Sequence, residues 1–147
     1  MRQRRIPGIA LAVMVLLTPC MAHHMAVVVS KDNKVQNVTS VHLGKIFKGE
    51  VKKWADGQSV MLVLHSSSAD EMTTLVRLTK MSQADVKAMI ASHKDSIKTV
   101  GSDADVIEAV ASTPGAIGLV EERSITDRVT VVKVDGKLPM ESGYLPH

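Results

Sequence analysis

The stretch Val100–Val120, VGSDADVIEAVASTPGAIGLV, narrows the possible folds more than any other part of the chain. It reads as turn, helix, turn and buried strand. Ser102 is an N-cap candidate with Asp105 three residues on, a capping box with Asp in place of Glu. Val106, Ile107 and Val110 make one apolar face at helical spacing, with Ala109 beside it. Asp103, Asp105 and Glu108 fall early in the helix, where the dipole favours negative charge. Pro114-Gly115 ends the helix. Ala116-Ile117-Gly118-Leu119-Val120 is then apolar without alternation, which suits a strand covered on both faces. A helix feeding such a strand through a tight turn is half of an α/β layer.

The N-terminus reads as a separate object. Arg2, Arg4 and Arg5 precede an apolar run, Ile6 to Leu17, that is too short to span a membrane as a mature helix. Small residues follow, and cleavage after Ala22 would make residues 1–22 a secretory signal peptide. Its removal takes three of eighteen basic side chains and no acid, leaving fifteen of each sign. The alkaline pI therefore carries no case for nucleic acid, and no basic stripe with interleaved aromatics exists. Cys20, the one cysteine, leaves with the signal, so the exported chain has no disulfide. Leu17-Thr18-Pro19-Cys20 is the alternative, a lipobox-like site for acylation of Cys20, although Pro19 stands where a small residue is usual.

The remaining chain, 23–147, is long enough for one domain with a sizeable core. That core must be aliphatic, because Phe47, Trp54 and Tyr144 are the only aromatics. The same scarcity disfavours a sugar ligand, whose apolar ring faces want aromatic platforms. Ala26–Ser30 reads as the first strand. A helix capped by Thr39 or Ser40 follows, with Val41, Leu43, Ile46 and Phe47 on one side and Gly49 at its end. Trp54 is expected to seat the next loop on the body of the domain. Val60–Leu64 is a second strand, followed by a helix with Met72, Leu75, Val76 and Leu78 inward. Ser82 and Asp85 cap a further helix whose Val86, Met89 and Ile90 face the core. Residues 92–98 read as a polar link, 129–134 as a last strand, and 143–147 as a loose tail.

Two segments, IFKGEVKKWADG and TPGAIG in this order, carry a resemblance. With the strand and loop before them, the region from Ala26 to Pro139 resembles the PstS-like phosphate-binding periplasmic proteins. In that family a Pro-Gly turn leads into a GAIGY-type strand; here GAIG is followed by Leu119. The resemblance implies an α/β fold: a single lobe of a periplasmic binding protein type II-like architecture, with a mixed sheet flanked by helices. It also implies a periplasmic solute-binding protein with phosphate or a similar oxyanion as ligand, associated with an ABC transporter permease. Full-length family members have two lobes. This chain matches one, so a second lobe or a homodimer would be needed to close a cleft.

Ligands of open α/β sheets bind beyond the carboxyl ends of strands, and helix N-termini suit anions. Three hydroxyl-rich places meet that description: Thr39-Ser40, Ser66-Ser67-Ser68, and Gly101-Ser102. Simple capping explains each as well. The cluster after the second strand leads, so the expected ligand-binding residues are Ser66, Ser67 and Ser68, with His65, Ser102, Thr39 and Ser40 behind them. The family holds its anion with an Arg and a Ser-Gly-Thr near this point. His65 stands near that Arg, and Ser67-Ser68-Ala69 near Ser-Gly-Thr. Asp70 and Glu71 follow, either as carboxylates that would repel a phosphate dianion or, the reading preferred here, as first-turn acids facing solvent. His65 would add positive charge only in mildly acidic solution.

No catalytic constellation, cofactor motif or His-x-x-x-His metal spacing is present. His23 and His24 at the new terminus would make a copper site or, more simply, a frayed polar end. The expected function is non-enzymatic solute binding. The competing class is an envelope interaction or accessory protein that keeps the fold and has lost the anion.

Overall fold

The computed structural model describes residues 24–146. The expected signal peptide, Cys20 and His23 lie outside these residues. Strand β1 (Met25–Ser30) is followed by the short β2 (Asn37–Val38) and helix α1 (Ser40–Phe47). Next come β3 (Met61–Leu64), α2 (Ala69–Thr79) and α3 (Gln83–Ser92). Strand β4 (Ile97–Thr99), helix α4 (Asp103–Ser112) and β5 (Ala116–Glu121) complete the centre. A 3-10 turn (Glu122–Ser124), β6 (Val129–Val131) and β7 (Lys133–Val134) close the chain.

The main sheet has the order β4-β3-β5-β1-β6, and β2 pairs with β7 in a second, two-stranded sheet. β4, β3 and β5 are parallel, whereas β1 is antiparallel to both β5 and β6. The mixed sheet expected from the resemblance is therefore present. The apolar run 116–120 forms the central strand. Alternate residues of the three inner strands go to opposite faces. Val27, Val29, Leu62, Leu64, Ile117 and Leu119 join Leu43, Ile46, Phe47 and Leu75 from α1 and α2. Val28, Val63, Ala116 and Val120 join Val106, Ile107 and Val110 from α4. Helices thus cover both faces, which is why these strands read as continuous apolar runs. Gly118 lets α4 close on the sheet: a Cβ there would meet Val106 Cγ1 at 2.7 Å and the Val63 carbonyl oxygen at 3.1 Å.

Local signals placed the helices well. Thr39, Ser68, Ser82 and Ser102 each cap a helix by accepting a backbone N–H three residues on. Trp54 is buried, and its Nε1–H donates to the Gly115 carbonyl at 2.8 Å, fixing the 50–58 loop against the Pro-Gly turn.

Several expectations change. Residues 92–98 are not a plain link: Ile97 begins edge strand β4, whose single buried side chain gives no period-2 pattern. The last strand is split, because Val132 bonds to Val27 while Lys133 turns away to pair with Asn37 of the second sheet. Val41 is 71% exposed, and Val76 is only partly buried. The tail is not loose through Tyr144 and Leu145, which are both buried. Tyr144 OH accepts the Val27 N–H and donates to the Val132 carbonyl, tying the tail across β1. Among the described residues no helix is long and apolar enough to cross a membrane.

Candidate functional site

Three parallel strands run toward one end of the sheet, and the connections leaving them converge there. His65 immediately follows β3, and its neighbour β4 ends at Thr99 opposite Leu64. The chain then turns through Gly101-Ser102 into α4, so Asp103 at the start of that helix faces both β3 and the end of β5. His65 Nδ1 and Asp103 Oδ1 are 3.2 Å apart. The other Asp103 oxygen, Oδ2, accepts the Glu121 N–H at 2.9 Å and the Ser124 hydroxyl at 3.0 Å. One carboxylate therefore pins the ends of β3 and β5 to the start of α4.

Glu71 completes the group. It is the third residue of α2 and is fully buried, with Leu75 one turn on and Leu78 two turns on along the same stripe. Its Oε1 accepts the His65 backbone N–H at 3.0 Å. Its Oε2 is buried and has no hydrogen-bond partner. Burial pushes this carboxyl up to about 8; the His65 N–H pulls it down and the Asp103 charge raises it further. The reading of Glu71 as a solvent-facing first-turn acid is thereby corrected, whereas Asp70 is exposed. The signal was in the sequence: residues 71, 75 and 78 share one face at heptad spacing, and the apolar character of Leu75 and Leu78 assigns that face to the core. The charge of residue 71 argues for solvent, and the helical spacing overrides it. The Asp103 contacts had no local signal, because Glu121 and Ser124 lie eighteen and twenty-one residues away.

The expected ligand residues divide into two places. His65 and Ser68 sit at the α2 start, where Ser68 Oγ caps the Glu71 N–H at 3.2 Å. Ser66 and Ser67 are exposed beside it. Ser102 caps α4 and is brought alongside through Asp103. Thr39 and Ser40 are not joined to this group; they bond to His42 and Asp135 at the second sheet. Thr39 lines a separate open groove of about 560 Å³ with His42, Lys53 and Trp54. A further groove of about 450 Å³ lies at the opposite end of β3, around Met61, Lys52 and Pro114. His24 is exposed, and its carbonyl accepts the Glu122 N–H.

Chemically, the cluster is an imidazole between two carboxyl groups, each oriented by a backbone N–H. It holds no lysine or arginine. As a facing surface for a phosphate dianion it offers hydroxyls and the α2 N-terminus on one side and the Asp103 charge on the other.

The family model described as a PBP superfamily domain matches residues 14–143. The phosphate-binding protein PstS of Bacillus subtilis (strain 168) is 28% identical over 120 residues, covering 78% of this chain and 37% of that protein. An ABC-type phosphate transport receptor from Vibrio cholerae superposes with a TM-score of 0.66 at 20% identity, over 80% of this chain and 48% of that one. A putative phosphate ABC transporter substrate-binding protein with bound phosphate, from Clostridium perfringens, gives 0.64 at 20% identity, over 80% and 47%. The chain thus spans between a third and a half of the length of these proteins.

Proposed function

From the premise that this chain belongs to the PBP superfamily domain family, we propose that it is an exported, non-enzymatic binding lobe of the phosphate-uptake type. It holds phosphate or a similar oxyanion at the Ser66–Ser68 turn and works beside an ABC transporter permease in the periplasm. The observation that carries this reading is the position of that turn. Exposed Ser66 and Ser67 precede the Ser68 cap of an eleven-residue helix at the carboxyl end of β3. That is where open α/β sheets take their ligands and where helix N–H groups favour anions. The names of the relatives, phosphate-binding proteins and phosphate receptors, support the choice of anion. Spanning between a third and a half of the relatives' length, the chain offers half a cleft, and a second lobe or a second copy supplies the rest.

A second reading is favoured by Glu71. Its carboxyl takes the His65 N–H, a donor an anion would otherwise use, and Asp103 adds a negative charge beside it. On that reading the chain is an accessory lobe that keeps the fold and binds a protein partner without an anion.

Calorimetric titration of phosphate at pH 5.5 and pH 7.5 separates the two. Saturable binding at either pH that disappears in Ser66→Ala/Ser67→Ala supports the oxyanion reading. Ser68 is left in place because it caps α2. Absence of heat at millimolar phosphate at both pH values sinks the oxyanion reading and leaves the accessory lobe.

A further inference from the structure

The end of the sheet holds a group that neither capping nor oxyanion binding uses. His65, Glu71 and Asp103 each bring one ligating atom within 4.8 Å of the other two. We propose that these three side chains form a binding site for a divalent transition cation of the zinc class. The inference does not rest on the oxyanion reading and survives its failure.

The donor set fits such an ion. Imidazole nitrogen and carboxylate oxygen are both zinc ligands, at about 2.0–2.2 Å, and three protein donors leave a fourth position open. Donors around a tetrahedral ion of that size stand roughly 3.4 Å apart, so the three side chains need to contract by about 1 Å or a little more. The His65–Asp103 separation of 3.2 Å already meets that spacing.

Independent support comes from Glu71. A fully buried carboxyl with one oxygen lacking any partner is a costly arrangement. A cation ligated through Oε2 would give that oxygen a partner. The surrounding bonds also suit ligation. Asp103 spends Oδ2 on Glu121 and Ser124, which holds the carboxylate in place and leaves Oδ1 on the His65 side. Glu71 Oε1 is held in turn by the His65 N–H. The His65 and Asp103 side chains are 20% and 19% exposed, which gives an ion a way in from solvent. No lysine or arginine belongs to the cluster to compete with the ion. A bound dication, with both carboxylates ionised as its ligands, would also cancel the negative charge beside the Ser66–Ser68 turn.

The test is a zinc titration by calorimetry at pH 7.5 in a non-chelating buffer. The protein carries His23→Ala/His24→Ala, so that the N-terminal histidines do not contribute. One equivalent of zinc is expected to bind, and Glu71→Gln, Asp103→Asn and His65→Ala are each expected to weaken it by about a hundred-fold or more. Each variant is first compared with the parent by circular dichroism and urea midpoint. Should a variant fail to fold, the parent itself decides. Zinc must raise its Tm, a chelator must reverse the rise, and cobalt(II) must give visible absorption typical of low-coordinate nitrogen and oxygen ligation. No zinc binding by the parent, or binding that survives all three substitutions, overturns the site. Phosphate titration in the absence of zinc is read separately, so either proposal can fail alone.

Discussion

The carboxyl of Glu71 accepts the backbone N–H of His65 at 3.0 Å, six residues back along the chain and beneath the first turn of α2. The contact closes the β3–α2 turn from inside, and it places an ionisable group where water cannot reach it.

The first prediction concerns pH. Glu71 is raised from 4.5 to about 8 in the folded protein, chiefly by burial. Below 4.5 both folded and unfolded chains hold the proton. Above 4.5 the unfolded chain releases it while the folded chain keeps it, so the unfolded state binds fewer protons and stability falls as pH rises. The loss continues until about 8 and then levels. In metal-free protein, urea unfolding across pH 4.5 to 8 should show this decline, and Glu71→Gln should remove its largest part. Parallel curves for parent and variant would show that Glu71 is not the cause.

Tyr144 supplies the second. Its hydroxyl serves both the Val27 N–H and the Val132 carbonyl in a buried setting. Tyr144→Phe keeps the ring and strands both groups, so a loss of about 1–3 kcal/mol is expected from urea unfolding. A variant as stable as the parent would mean that the tail is not fastened through this hydroxyl. Burial also pushes the phenol up to about 12. The parent should accordingly lose stability as pH rises above 10, and the Phe variant should lack that component.

Gly118→Ala tests the close packing of α4 on the sheet. The added methyl would stand 2.7 Å from Val106 Cγ1 and 3.1 Å from a backbone oxygen. We expect a destabilisation of about 1–3 kcal/mol. Adding Val106→Ala should restore less than its own cavity costs, because the Val63 carbonyl cannot retreat. Full additivity in the double-mutant cycle would show that the two sites do not touch.

Trp54→Phe should cost less, about 0.5–1 kcal/mol by urea unfolding. The Gly115 carbonyl that loses the indole N–H still accepts the Met61 N–H at 3.1 Å, so no buried acceptor is stranded. A cost well above that range would mean the ring packing, which Phe fills incompletely, matters more than the hydrogen bond.

Some of this architecture is written in short stretches. Thr39, Ser68, Ser82 and Ser102 mark helix starts because a side-chain oxygen two or three residues from an orphan N–H is a local relationship. The run 116–120 identifies a strand covered twice because its apolar content leaves no face for water. The same stretches, with the IFKGEVKKWADG segment, were enough to indicate the family and its mixed sheet. Trp54 was legible as an anchor because a lone large ring in an aromatic-poor chain has few other uses.

Other features came only with the assembled chain. Edge strand β4 exists because β3 offers an open side to Ile97–Thr99, and nothing in IKT demands it. Tyr144 is an anchor only because β1 passes beneath it. Glu71 lay on a core stripe that spacing could have revealed, yet whether a buried carboxyl is tolerated depends on the His65 N–H, which the turn supplies. The convergence of His65, Glu71 and Asp103 is the furthest from sequence. It joins the end of one strand, the first turn of the helix after it and the first residue of a later helix, and sheet order alone brings them together. Local hydrogen bonding and hydrophobic pattern determined the elements. The tertiary structure decided which charges meet, because that depends on which strand ends become neighbours.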